Sequence, residues 1–156
     1  MALRPPGPRP GGNPGGGKTL PQPRPVEYFA KDGSLARDLL DGRAEKQARS
    51  LQNVTTTQLR RFYDDVLALA RRLDVESEGG GSERREAVFN RLRAEFKMLK
   101  AKAAYAHGRD EKQFPKEFLQ FFIDHVHAVN SAREFDAFCK HFQAVVAFHK
   151  FFGKNR

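Results

Sequence analysis

The sequence predicts an all-α protein, a compact bundle of about five helices with a disordered Pro/Gly-rich N-terminal tail. Three observations carry that expectation. From Ser34 onward, apolar residues recur at steps of three and four, the period of a helix with one buried face. Thr55 with Gln58, and Ser131 with Glu134, form Thr/Ser-x-x-Gln/Glu boxes where periodic runs begin. Such boxes satisfy backbone N–H groups that a first helical turn leaves open. No stretch shows the strict alternation of a half-buried strand.

Residues 1–25 hold 14 of the 22 Gly and Pro residues, with Arg4, Arg9, Lys18 and Arg24 and no acid. Such a segment has too little apolar area to offset the entropy of ordering it. The expected organisation is a basic, mobile tail over residues 1–30, then one helical domain over 31–156. GGGKT at Gly15–Thr19 looks like the end of a phosphate-binding loop. It lacks the strand before and the apolar helix after that such a loop needs, and Pro21 follows at once.

Ser34–Leu51 predicts one or two short helices broken near Gly42, with Leu35, Leu39 and Leu40 as a small apolar face. Behind the Thr55 box, Leu59, Phe62, Tyr63, Val66, Ala70 and Leu73 predict a long amphipathic helix. Glu76–Ser82 reads as a flexible loop. From Glu83 to about Ala106, Phe89, Leu92, Phe96, Leu99 and Ala103 form a narrow stripe flanked by Arg93, Lys97 and Lys100. Gly108 is placed to end that helix in the left-handed cap conformation. Pro115 suits the first turn of the next, where Phe118, Phe122 and Val126 with Leu119, Ile123 and Val129 make a wide buried face. The last helix uses Phe135, Phe138, Phe142, Val145, Val146, Phe148 and Phe152 and ends at Gly153.

Across 156 residues, 28 Lys and Arg face 19 Asp and Glu, a formal net charge of +9. No apolar run approaches the ~18–20 residues that span a bilayer, so no membrane role is expected. The start lacks the apolar region of a secretion signal, which points to a cytoplasmic protein. The single cysteine, Cys139, excludes an internal disulfide framework and a site of several thiolates. His125 and His127 face apart on a helix. His141 and His149 could share a face but have no acid at ligand spacing. Asp64 with Asp65, and Asp110 with Glu111, read as solvated pairs. Arg133 precedes His141 with seven residues between, longer than the Arg–His spacing of all-helical HEPN-type ribonucleases. The expectation is no catalytic residue, no metal and no cofactor. What remains is charge. Arg84–Lys116 holds ten cations against four acids, and Tyr63, Tyr105 and His149 are interleaved with the basic residues of the chain. Cations neutralise phosphates and rings stack on bases. On charge alone, the solvated face of an ordinary basic protein is an equal alternative.

Three ordered blocks carry more. TTTQLRRFYDDV at Thr55–Val66, LKAKAAYAHGRD at Leu99–Asp110 and FDAFCKHFQAVVAFHKFFGKN at Phe135–Asn155 resemble the small helical subunit of the type III-A CRISPR–Cas effector, the Csm complex. The resemblance runs from about Ala44 to Asn155. Phe148 stands where the family more often has Tyr, so no hydroxyl role is assigned there. The resemblance implies a non-catalytic RNA-binding structural subunit acting in antiviral defence. Its implied partners are guide RNA and target RNA, the backbone and large subunits, and stacked copies of itself. Base pairing would supply sequence recognition while the protein contacts backbone. The residues that match are Arg60 and Arg61, of which one is expected on phosphate and the other on a neighbouring acid. Lys100 and Lys102, Arg109, and the pair His149 and Lys150 follow, with His149 placed to stack or hydrogen-bond. Lys97 is nominated on charge alone. Two readings of other classes stand beside this one: a small helical ribonuclease, and a basic module that binds DNA or an acidic protein.

Overall fold

The computed structural model describes residues 18–153. The first part of the expected tail, with Gly15–Gly17, and the cations Lys154 and Arg156 lie outside the described residues. Five helices follow in order: α1 Gly42–Ser50, α2 Thr56–Glu76, α3 Ser82–Arg109, α4 Lys116–Ala128 and α5 Ala132–Phe152. The only β feature among the described residues is an isolated bridge between Phe29 and Leu35. The all-α bundle expected from the periodicity is the fold.

α5 is the hub, packing against α1, α2 and α3, while α3 also pairs with α2 and α4. The long helices start where their boxes stand. Thr55 accepts from the Gln58 N–H and Gln58 Oε1 accepts from the Thr55 N–H. Ser131 accepts from the Glu134 N–H, but the return bond from Glu134 goes to the Asn130 N–H. The end of α3 differs from expectation. Gly108 stays helical, and the helix stops only at Asp110, whose carboxylate collects the N–H groups of Lys112 and Gln113. A side chain that satisfies the following turn ends this helix without a left-handed glycine.

The core is a continuous aromatic stack. Phe118 and Phe122 of α4 meet Phe62 of α2 at 4.9 and 5.1 Å between ring centroids. Phe121 and Phe122 meet Phe142 of α5 at 5.3 and 5.7 Å. Phe96 of α3 reaches Phe135 and Phe138 at 5.5 and 5.6 Å. Most of these pairs are tilted or edge-to-face, the arrangements that ring quadrupoles favour. Leu39 is buried as expected, but Leu40 is exposed, and Leu69 and Val88 join the core. Both additions lie within one turn of stripe residues. Arg85 adds a polar clamp, with its guanidinium bidentate on Asp136 of α5 and 2.8 Å from Asp74 of α2.

α1 is held on α5 by two histidines eight residues apart. Nδ1 of His141 donates to the Leu39 carbonyl at 2.6 Å, and Nε2 of His149 donates to the Leu51 carbonyl at 3.0 Å. The two carbonyls flank α1, so each end of the short helix has a buried anchor. A nine-residue helix is marginal by itself, and these contacts explain its place.

Residues 18–30 differ from the mobile tail expected of them. They lie along α4. Asp124 accepts from the Arg24 backbone N–H at 2.8 Å and from its guanidinium at 3.0 Å, and Gln120 donates to the Gln22 carbonyl. Tyr28 is 2% exposed, its hydroxyl 2.6 Å from Nδ1 of His125. The chain then turns at Gly33, whose φ of +86° strains any other residue. There Arg133 of α5 donates to the Gly33 carbonyl and covers the Phe29 ring. The partners of this segment come from about a hundred residues away, which local composition does not register.

Phe142 is fully buried and touches rings of Tyr63, Phe121, Phe122 and Phe138. Phe142→Ala is expected to lower stability by about 3–5 kcal/mol, read as a fall in the urea midpoint at unchanged slope. Burial holds both His125 and His141 below the usual imidazole range; the neighbouring His141 and Arg43 add to this at His125, and Arg43 adds to it at His141 against the opposing hydrogen bond to Leu39. A histidine with a lowered folded pKa binds fewer protons than in the unfolded chain. Stability should therefore be complete above pH ~6.5 and fall below it, by up to about 1.4 kcal/mol per pH unit for each ring. Urea unfolding at pH 7.5 and 5.5 checks this; equal stabilities would contradict it.

Candidate nucleic-acid interface

α2 and α3 form a hairpin through the short 77–81 turn, and a groove of about 460 Å³ opens between them. Phe62, Ala101, Ala106 and Phe114 lie along it, with Gln58 and Asp65 on the α2 side. Three cations line it: Arg61 from α2, and Lys102 and Arg109 from α3. Between them stands Tyr105, 71% exposed, with the Arg109 guanidinium 5.9 Å from its ring centroid. Met98 is 53% exposed and borders both this groove and a smaller continuation past Leu69. Helical spacing builds the α3 wall, since Met98, Lys102, Tyr105 and Arg109 step by four, three and four.

Lys102 is held 3.1 Å from Asp65, with both side chains about half exposed. An exposed pair of this kind contributes ~0–1 kcal/mol, so an incoming phosphate can exchange for the carboxylate at little cost. Arg61 and Arg60 are both exposed, and neither has an ion-pair partner among the described residues. The acid pair expected for one of them does not form among the described residues, although Asp64 and Asp65 follow them by one helical turn; Asp65 is taken by Lys102.

The sequence-nominated residues separate by face. Arg61, Lys102 and Arg109 share the groove. Lys97 and Lys100 border a different hollow of about 180 Å³, between α3, α4 and residues 20–23. Arg60 lies toward α5, on the same side as Tyr63, which packs edge-on against Phe142. Lys150 is exposed on α5. His149 is a correction: it is 0% exposed and serves the Leu51 carbonyl, so its ring cannot stack on a base. Tyr63 is likewise turned inward. Sequence reasoning passed over Met98, Gln58 and Phe114. Their spacing relative to Tyr105 and Arg61 was available, but which side of α3 stays open depends on where α2 and α4 pack.

Other polar groups are occupied. Arg72 pairs with Glu95, Arg85 with Asp74 and Asp136, and Arg93 donates to Asn130. The basic excess around α3 is therefore partly internal scaffolding. Cys139 is half-buried, and burial together with Asp136 pushes its thiol up to about 12. A thiol so placed is a poor nucleophile at neutral pH. Among the described residues no group of three His, Cys, Asp or Glu could hold a metal ion, and no helix is long and apolar enough to cross a membrane.

Fold and groove define a class: a small all-helical scaffold whose open face offers fixed cations around an aromatic ring. The chain belongs to the family described as Csm2 Type III-A, which matches residues 34–155, and so is a small subunit of the type III-A CRISPR–Cas Csm complex. Neither the curated proteins nor the solved structures gave a match.

Proposed function

We propose that the chain is a non-catalytic, cytoplasmic RNA-binding component of that complex, acting in antiviral defence. In this reading copies stack along the effector, beside the backbone and large subunits, and help bind the guide RNA–target RNA backbone. The observation that carries it is the α2–α3 groove, with Arg61, Lys102 and Arg109 around an exposed Tyr105. The cations suit phosphates and the ring suits a base face, a combination that tolerates any sequence. Rigid helices fix the spacing, which fits a regular nucleic-acid backbone. Arg60, Lys97, Lys100 and Lys150 extend the positive surface to other faces, where further RNA or neighbouring subunits would lie. Affinity of one copy is low in this reading and multiplied by repetition in the assembly.

With about four phosphates contacted, log affinity for single-stranded RNA should fall with log salt at a slope near −3. Replacing Arg61, Lys102 and Arg109 together by Ala should flatten that slope by about 2, with the helical circular dichroism unchanged; an unaltered slope removes the groove from the interface. Arg60→Ala with Arg61→Ala should weaken RNA capture by the assembled complex. Tyr105→Ala should lower affinity by about 1–3 kcal/mol if the ring stacks on a base. The purified chain should leave single-stranded RNA intact with or without divalent metal; cleavage would favour the ribonuclease reading.

A further inference from the structure

A second cavity, of about 360 Å³, lies on a different part of the surface, between residues 24–26, α1, α4 and α5. Its inner wall carries His125 and His141, 5% and 3% exposed, with ring centroids 5.1 Å apart. Its rim carries Arg24, Arg43, Lys46 and Ser50.

The hydrogen bonds behind the rings assign their protons. The Leu39 carbonyl can only accept, so His141 donates from Nδ1 and presents a bare Nε2. The Tyr28 hydroxyl has no partner but His125 Nδ1 among the described residues. Donation by Tyr28 is the arrangement that leaves no buried hydroxyl proton unpaired. His125 then carries its own proton on Nε2. Neither Nε2 has a hydrogen-bond partner among the described residues. The cavity therefore offers one donor and one acceptor side by side on two neutral rings.

Charge sets the kind of ligand. Arg24 is matched by Asp124 and Arg43 by Asp38, and Glu117 shares the rim with Lys46. The interior is close to neutral and suits an uncharged group able both to give and to accept a hydrogen bond. That description fits a hydroxyl. Lys46 is exposed at the rim, where a phosphate attached to the same ligand would remain in water.

We propose that this cavity takes the 2′-hydroxyl of an RNA ribose, with the adjoining phosphate outside against Lys46. The inference rests on the RNA-binding reading above and adds a basis for telling RNA from DNA, which only the 2′-hydroxyl supplies at a given sugar. The hydroxyl accepts from His125 and donates to His141, while the groove between α2 and α3 supplies the sequence-independent affinity.

The full-length chain is titrated at matched salt with a single-stranded RNA, its 2′-O-methyl form and the DNA of the same sequence. The 2′-O-methyl strand lacks the hydroxyl proton and adds bulk while retaining RNA-like sugar geometry. RNA should bind about tenfold or more tightly than either analogue, the scale of one or two buried hydrogen bonds. Lys46→Trp, an exposed change that covers the rim, should bring the ratio of RNA to 2′-O-methyl affinity near one with folding intact. If RNA binds with a ratio near one in the unaltered chain, the ribose site is overturned and the RNA-binding reading stands. A high ratio that Lys46→Trp leaves unchanged overturns the ribose site in the same way. Failure of all three strands to bind, alone and in the assembled complex, overturns both.

Discussion

The packing of α5 is the constraint from which the other arrangements follow. Its Phe138 and Phe142 meet Phe121 and Phe122 of α4, Phe138 also meets Phe96 of α3, and its histidines reach the carbonyls on either side of α1. Interlocked rings have few alternative packings, because each is already in close contact with several others. Helices fixed in this way hold their surface cations at fixed separations. Whatever the outer face of α2 and α3 recognises, it does so without first having to be ordered, which lowers the entropic cost of binding.

The balance of charge has two parts. Some cations hold the fold together: Arg85 ties three helices, Arg133 fastens the Gly33 turn, and Arg24 pins the N-terminal segment to Asp124. Others, such as Arg61 and Arg109, extend into an open groove beside Tyr105. A net charge counted from composition merges the two, which is why the basic excess around α3 overstates what is available to a ligand. Lys102 stands between these roles, paired with Asp65 yet half exposed.

The buried histidines also have a structural duty that composition hides. His125, His141 and Tyr28 connect the N-terminal segment, α4, α5 and the approach to α1 in one small polar cluster within an aromatic core. Buried polar groups persist where they are hydrogen-bonded. Here the bonds use one nitrogen of each ring, and both rings line a cavity. Segment docking and cavity chemistry thus come from the same side chains.

The all-helical class, the two N-terminal boxes and most of the buried stripes were legible in the sequence, because helix periodicity and capping are local properties. So was the kinship to the small Csm subunit, carried by three ordered blocks. Tertiary structure alone decided the rest. Composition gave residues 18–30 to a mobile tail, but Asp124 and His125 hold them from α4. The family resemblance made His149 a candidate for the surface, and packing placed it under α1. The nominated cations of α3, Lys97, Lys100, Lys102 and Arg109, are close in sequence but fall on separate faces, since which side of α3 remains open depends on the neighbours packed against it. A local pattern states which residues share a face; only the packing of distant segments states which faces meet each other and which meet water.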